Sequence, residues 1–104
     1  MRNPALPLTE TTYLILLSLV EPRHGYAIIQ NVEQLSDNQV RIAAGTMYGA
    51  LDNLNKQAWI EEIETENKRR KVYQITQRGL GVLQAETERL TKIVNLGRQI
   101  LREV

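Results

Sequence analysis

The last quarter of the chain carries the apolar spacing of one long helix. The pattern begins after Thr76, a residue that can cap a helix, and runs from Gln77 to the end of the chain. At 1.5 Å per residue, such a helix is roughly 40 Å long. A domain of 104 residues offers too little surface to cover a helix of that length. We therefore expect the helix to project from its domain.

The apolar stripe of this helix predicts a second chain. Leucine, isoleucine and valine recur at alternating spacings of three and four, with Glu86 and Gly97 as interruptions. The residues that we expect to pack against another copy are Leu83, Leu90, Ile93, Val94, Ile100 and Leu101. A monomer would leave much of this stripe in water, so a homodimer is the simpler interpretation. The alternative is a helix that folds back across its own domain.

Three shorter helical patterns precede the long one. Thr9 can cap a first helix that is apolar on nearly every side. A second helix is predicted over residues 25–35, and a third runs from Thr46, as its cap, to about residue 57. Between these two helices, residues 39–42 could form a short edge strand.

Beyond Trp59 the apolar period changes to two, which indicates a β-hairpin. Strands are predicted over residues 59–65 and 71–75, with a turn over residues 66–70. The first strand is acidic, with four Glu between residues 61 and 66. Trp59 itself is expected to pack in the core at the base of the hairpin.

Four consecutive cations occupy the hairpin tip, namely Lys68, Arg69, Arg70 and Lys71. The formal net charge of the chain is +1, so the cluster is a local concentration rather than a general basic character. One interpretation pairs the cations with the acidic strand across the hairpin. The other assigns them to an anionic partner, and duplex DNA is the partner that we favour.

The residue content excludes several functional classes. Cys is absent and His24 is the only His, which excludes a disulfide framework, a thiolate nucleophile and a multi-His metal site within one subunit. There is no glycine-rich phosphate loop, and Glu61 and Glu62 point to opposite faces of one strand, so we expect neither catalysis nor a cofactor. The longest apolar run, residues 13–17, is far shorter than a membrane span, and the start of the chain lacks signal-peptide features. A cytoplasmic protein is expected.

The order of these elements is that of a winged helix-turn-helix followed by a dimerisation helix. Three strings narrow the match: LLSLVEPRHGY over residues 16–26, GTMYGAL over 45–51 and RKVYQITQRG over 70–79. In this order and at this spacing they closely resemble the successive motifs of the PadR family of bacterial and archaeal transcriptional regulators. The implied fold is mainly α with a β-hairpin. It divides into a winged domain, residues 1–76, and a C-terminal dimerisation helix, residues 77–104.

The resemblance also implies a function. Family members of this short type are expected to form a homodimer that binds a roughly palindromic operator in double-stranded DNA, usually as a repressor. Release by a hydrophobic or aromatic small-molecule effector is implied as well. The long helix contains no aromatic residue, so an aromatic sandwich built from that helix is not expected. The alternative function is a winged-helix protein-interaction module without DNA binding.

The third helix is the implied recognition helix, because the family's recognition helix begins at a Gly-Thr-x-Tyr string like the one that ends here at Tyr48. The residues expected to contact DNA are His24, Tyr26, Thr46, Tyr48, Gly49, Asn53, Lys68, Arg69, Arg70 and Lys71. His24 could cap a helix instead of donating to a phosphate, and Tyr48 could close the edge of the core. Asn53 could read adenine or remain in solvent.

Overall fold

The computed structural model of the protein describes residues 3–66 and 70–104. Within these ranges the chain forms four helices and one three-stranded antiparallel sheet. The helices are α1, Glu10–Ser18; α2, Gly25–Leu35; α3, Ala44–Lys56; and α4, Gln77–Leu101. The strands are β1, Arg23–His24; β2, Ile60–Ile63; and β3, Val72–Ile75, in the order β1-β3-β2. We call β2, β3 and the residues that connect them the wing.

Hydrogen bonds confirm two of the predicted helix caps. Thr9 Oγ1 accepts a hydrogen bond from the Thr12 amide at 3.1 Å, and Thr76 Oγ1 accepts one from the Gly79 amide at 3.0 Å. Each bond satisfies an amide of the first helical turn that has no partner within its helix. These caps fix where α1 and α4 begin.

The predicted cap of α3 is wrong. The helix begins at Ala44, and Ala43 is the N-cap, with an extended backbone and no side-chain hydrogen bond. The Ala43 carbonyl already accepts from the Met47 amide at 3.0 Å, so Thr46 lies inside the first turn. Alanine is the best helix former, and an exposed helix start can leave its free amides to solvent. For both reasons α3 starts earlier than the position of Thr46 indicated.

The predicted edge strand at residues 39–42 is also wrong. Ser36 Oγ accepts a hydrogen bond from the Val40 amide at 3.0 Å, which ties this segment to the end of α2 as a loop. The third strand is instead β1, which pairs with β3. A strand of two residues has no periodicity of its own, so only its long-range partner defines it.

One apolar core joins the helices to the sheet. Its buried residues are Ile15, Leu16, Leu19, Ile28, Val32, Ile42, Met47, Leu51, Leu54, Trp59, Ile60, Tyr73, Val82 and Leu83. Trp59 is 7% exposed, which confirms its predicted place at the base of the hairpin. Leu83, which the sequence assigned to the contact with a second chain, is 4% exposed and lies in this core instead. The reason is that α4 packs against α1 and β3 before it projects.

The second half of α4 extends away from the core, and the molecule measures 56 × 32 × 20 Å. Leu90 is half-buried, and every residue described after it on the helix is exposed except Gly97. The exposed large apolar side chains of α4 beyond Leu90 are Ile93, Val94, Leu96, Ile100 and Leu101. We call these residues and Leu90 the α4 seam. Leu96 falls outside the predicted stripe and widens it.

Glu86, which interrupts the predicted stripe, is a buried carboxylate that is 1% exposed. The Arg89 guanidinium donates to both of its oxygens, and the Leu8 amide donates to Oε2 at 2.7 Å. The hydrogen bonds from Arg89 hold the pKa of this carboxyl below its ordinary value of 4.5, against the opposite effect of burial. Glu86 thus ties the segment before α1 to the middle of α4.

Candidate nucleic-acid interface

The helix α3 has one buried face and one polar face. Met47, Leu51 and Leu54 point into the core and are at most 3% exposed. The residues of the outer face that were predicted to contact DNA are Thr46, Tyr48, Gly49 and Asn53, and all are exposed. The helix therefore has the amphipathic character that a recognition helix needs, with its polar face available to a groove.

An open pocket of about 470 Å³ lies where the start of α2, α3 and the wing meet. It is lined by His24, Gly25, Tyr26, Tyr48, Arg70 and Lys71. The pocket therefore brings together predicted DNA-contacting residues from three separate parts of the chain. Thr46, Gly49 and Asn53 lie on the outer face of α3 but do not line it. The remaining predicted contacts, Lys68 and Arg69, lie outside the described residues.

His24 is placed in this pocket by both of its neighbouring elements. As the last residue of β1, it pairs with Val72 of β3, next to the basic end of the wing. It is also the N-cap of α2, where Nδ1 accepts a hydrogen bond from the Ala27 amide at 3.4 Å. The capping role considered for His24 is therefore confirmed. The other ring nitrogen, Nε2, lies 3.5 Å from Nη1 of Arg70.

Gly25 leaves room for the close approach of Tyr48. A Cβ at position 25 would lie 2.7 Å from the Tyr48 hydroxyl oxygen and 3.1 Å from the Met47 terminal methyl carbon. The Tyr48 side chain is 49% exposed, so its ring packs over the start of α2 while part of it faces solvent. This contact joins the first turns of α2 and α3, the two helices that border the pocket.

Although β2 and β3 are hydrogen-bonded neighbours, the acidic residues of β2 do not stand opposite cations of β3. The register of β2 and β3 places Glu61 opposite Gln74 and Glu62 opposite Tyr73. Burial, and then the charge of Glu62, raise the pKa of Tyr73. No ion pair between described residues joins the acidic strand to Arg70 or Lys71. Among the described residues, Arg70 and Lys71 are therefore not held in salt bridges by the acidic strand.

The backbone fixes the position of the wing. The Ile75 amide donates to the Leu19 carbonyl at 2.8 Å, and the Thr76 amide donates to the Trp59 carbonyl at 3.0 Å. Arg23 Nε donates to the Ser18 carbonyl at 2.8 Å, which holds β1 against the end of α1. No local pattern predicts this contact of Arg23, because it depends on the path of the chain after α1.

Two kinds of site are not found among the residues that the structure describes. Residues 3–66 and 70–104 contain no group of three or more His, Cys, Asp or Glu side chains that could hold a metal ion. In the same ranges no helix is both long and apolar enough to cross a membrane.

Comparison with known proteins identifies the family. The model of the transcriptional regulator PadR-like family matches residues 14–85. A PadR family transcriptional regulator from Eggerthella lenta is 30% identical, with a TM-score of 0.67, and the match covers 89% of this chain and 81% of that one. A transcriptional regulator from Clostridium thermocellum is 24% identical, with a TM-score of 0.72 over 94% of this chain and 97% of that one, a likeness that shows the fold.

A further relative is an uncharacterised 37.1 kDa protein from a transposon of Streptomyces fradiae. It is 32% identical over 81 residues, which are 77% of this chain and 23% of that protein. The chain thus spans less than a quarter of the length of this relative.

These matches confirm the winged-helix fold class and the resemblance drawn from the three motif strings. The family consists of transcriptional regulators rather than enzymes, as the sequence predicted, and membership supports DNA-binding regulation of transcription. On the family match and the shared architecture together, the chain belongs to the PadR-like family of transcriptional regulators.

Proposed function

We propose that the protein is a sequence-specific DNA-binding repressor that acts as a homodimer and is released from its operator by a small-molecule effector. The observation that carries this proposal is the pocket at the start of α2. It gathers His24, Tyr26, Tyr48, Arg70 and Lys71 beside the exposed polar face of α3. Cations and hydroxyl groups in one depression suit a phosphate backbone, and a neighbouring polar helix suits a major groove.

In this proposal α3 reads the DNA and the wing supplies affinity. Thr46, Tyr48 and Asn53 project from the exposed face of the helix and are the candidates for contacts with base edges or adjacent phosphates. Gly49 has no side chain that could contact a base. It instead allows the backbone of α3 to approach the DNA closely. The cations from Lys68 to Lys71 follow the flanking backbone, where they displace counterions.

The α4 seam supports the homodimer. It exposes large apolar side chains along the projecting half of the helix, including Ile93 at 49%, Ile100 at 62% and Leu101 at 71%. Contiguous apolar surface of this kind marks an interaction site, and a second copy offers the same surface in return. Two winged domains joined in this way match a roughly palindromic operator, because the symmetry of the dimer is repeated in the DNA. Occupancy of such an operator blocks transcription.

A groove beside the seam is the candidate effector site. It has a volume of about 490 Å³, and its apolar lining includes Leu8, Tyr13, Leu14, Val40 and Leu90. The polar lining includes the exposed carboxylate of Glu10, whereas the buried carboxylate of Glu86 already accepts hydrogen bonds from Arg89, and none of the described lining residues is cationic. This chemistry favours a neutral or cationic apolar molecule. Binding there would act on α1 and α4 together, since both helices border the groove.

The proposal is tested by DNA binding over a range of salt concentrations. Purified protein is mixed with duplexes from upstream of its own coding sequence and with a random duplex of equal length. If all four wing cations of each subunit meet phosphates, the slope of log affinity against log salt approaches about −7, which is an upper bound. Arg70→Glu and Lys71→Glu should each weaken binding to both duplexes and flatten the slope.

Lys92→Glu is the matched control, because it makes the same charge change on an exposed residue of α4. It should leave the salt slope unchanged. A wild-type slope near zero, or no preference for any upstream duplex over the random one, would contradict sequence-specific binding. Loss of a protein complex in the two wing variants, with DNA binding intact, would favour the protein-interaction module instead.

A further inference from the structure

The imidazole of His24 lies between two hydrogen-bond donors. Nδ1 is 3.4 Å from the Ala27 amide nitrogen, and Nε2 is 3.5 Å from Nη1 of Arg70. A neutral imidazole carries a proton on one nitrogen and accepts on the other, whereas an arginine side chain can only donate. The ring therefore cannot accept from both neighbours at once.

The helix cap determines which of the two ring nitrogens of His24 accepts a hydrogen bond. The Ala27 amide belongs to the first turn of α2 and has no partner within the helix, so Nδ1 accepts from it. The ring proton is then on Nε2, where it faces the N–H groups of Arg70. Two donors at 3.5 Å can share one oxygen placed at an ordinary hydrogen-bond distance, about 2.9 Å, from each. An acceptor bound at that point would satisfy both donors at once.

The surroundings of this pair select the charge of the acceptor. Arg70 and Lys71 bring positive charge to the pocket, and none of its described lining residues is acidic. The Tyr48 side chain borders the same pocket, with its hydroxyl group held over Gly25. An anion with several acceptor oxygens fits this set of donors, and a phosphate group has that chemistry.

We propose that His24 Nε2 and the Arg70 guanidinium together hold one backbone phosphate of bound DNA. The helix cap and the phosphate contact depend on each other. Because Nδ1 accepts from the Ala27 amide, the ring proton is on Nε2 and can be donated to the phosphate. We call His24 and Arg70 in this role the clamp. The clamp connects the start of α2 to the wing through the bound DNA. This proposal rests on the DNA-binding function above and assigns a phosphodiester to the pocket.

The test uses His24→Asn, which keeps an N-cap oxygen for the Ala27 amide and removes the second ring nitrogen. The unfolding midpoint should stay close to that of the wild type. Affinity for a random-sequence duplex should fall about tenfold, the effect of one lost hydrogen bond to a charged group. The salt slope should change little, because the substitution leaves the cations of the wing in place. Arg70→Gln should lower both the affinity and the slope.

A double-mutant cycle tests whether the two residues share one phosphate. If they do, the loss in the variant with both His24→Asn and Arg70→Gln is smaller than the product of the single losses. His24→Asn combined with Asn53→Ala is the control, and its losses should multiply because Asn53 lies outside the pocket. The clamp would be overturned if the wild type bound the duplex and the His24→Asn variant bound it with the same affinity. It would also be overturned if the affinity losses of His24→Asn and Arg70→Gln multiplied in the double variant. Failure of the wild type to bind any duplex would overturn the DNA-binding function itself.

The wild-type protein gives a second readout, since His24 is the only histidine and its ring signals in a nitrogen-15 NMR spectrum need no assignment. We expect Nδ1 to be unprotonated and the Nε2–H signal to shift when the random duplex is added. A proton on Nδ1 in the DNA complex would contradict the clamp. A shift caused by inorganic phosphate at matched ionic strength but not by the duplex would assign the pocket to a free anion, which also overturns the proposal.

Discussion

Gly79 lies so close to Trp59 that a Cβ at position 79 would be 2.0 Å from the Trp59 carbonyl oxygen. This contact lets the first turn of α4 pass directly over the base of the wing. The atom that a side chain would meet belongs to the backbone, so it cannot rotate away. The wing and α4 are therefore in contact where each begins.

Gly79→Ala should destabilise the protein strongly. The new methyl group would force the wing and α4 apart, at a cost of at least about 2 kcal/mol in the free energy of unfolding. Urea unfolding at a fixed chain concentration measures the loss. Gly81→Ala is the control, because a Cβ there meets nothing within 4 Å. It should stabilise α4 by about 0.5–1 kcal/mol, since alanine is the better helix former. Equal effects of the two variants would show that the close contact is absent.

Ala58→Gly should stabilise the protein. Ala58 follows α3 with a φ of 60°, and its amide donates to the Asn55 carbonyl at 3.0 Å while the Trp59 amide reaches the Leu54 carbonyl at 3.1 Å. This is the helix ending that favours glycine, because an L side chain is strained in the left-handed region. The net gain, after the extra freedom of glycine in the unfolded chain, is about 0.5–1 kcal/mol.

Thermal and urea unfolding of the Ala58→Gly variant measure this gain. Ala50→Gly, within α3, makes the same chemical change where the backbone is helical, and it should cost about 1 kcal/mol. If both variants lose stability, position 58 does not carry the strain.

Stability should fall in acid through Glu86. Its pKa in the folded protein lies below 4.5 because Arg89 donates hydrogen bonds to the carboxylate. A carboxyl whose pKa is lowered by folding contributes stability that is fully present above its unfolded pKa and lost as the pH falls through the folded value. Glu86→Gln should therefore be less stable than the wild type at pH 7, and the difference should shrink below pH 4.5.

Urea unfolding at several pH values measures the difference between the two proteins. Glu88→Gln is the matched control, since Glu88 is 74% exposed and its ion pair with Lys92 lies at the surface. Its stability should follow that of the wild type at every pH. If the stability difference between the wild type and Glu86→Gln were the same in acid and at neutral pH, the charge of the carboxylate would not be what stabilises the fold.

Ile93→Asp should convert the proposed dimer to a monomer. The substitution places a charge in the middle of the apolar α4 seam, where pairing would bury it without a partner. Sedimentation should give about twice the 11.9 kDa chain mass for the wild type and the chain mass for the variant. Asn95→Asp adds the same charge two residues further on, on a different side of the helix, and should remain dimeric. If the wild type sedimented as a monomer at micromolar concentration, dimerisation through the α4 seam would be contradicted.

The sequence predicted those features that depend on local signals. The caps at Thr9 and Thr76, the helical pattern of α2 and the long α4 all follow from residues close together in the chain. The alternation after Trp59 predicted the hairpin for the same reason. Motif order added the family, which no single string would have identified.

The features that were missed depend on distant parts of the chain. β1 exists because β3 pairs with it, and Arg23 gives no local sign of that pairing. Glu86 was read as an interruption of an apolar stripe, but its burial depends on Leu8 and Arg89 together. The pocket could not be foreseen from composition either, since it forms only when β1 brings His24 beside Arg70.

Thr76 joins the wing to α4 without any intervening loop. Its hydroxyl donates to the Ala58 carbonyl at 2.6 Å and accepts from the Gly79 amide, so one residue is bonded both to the segment that leads into the wing and to α4. In the proposed dimer, a change in the crossing angle of the two α4 helices would therefore rotate both wings as rigid bodies. The spacing between operator half-sites becomes a property of the helix pair. A ligand or substitution at the subunit interface could then retune which operators fit without altering any residue that contacts DNA.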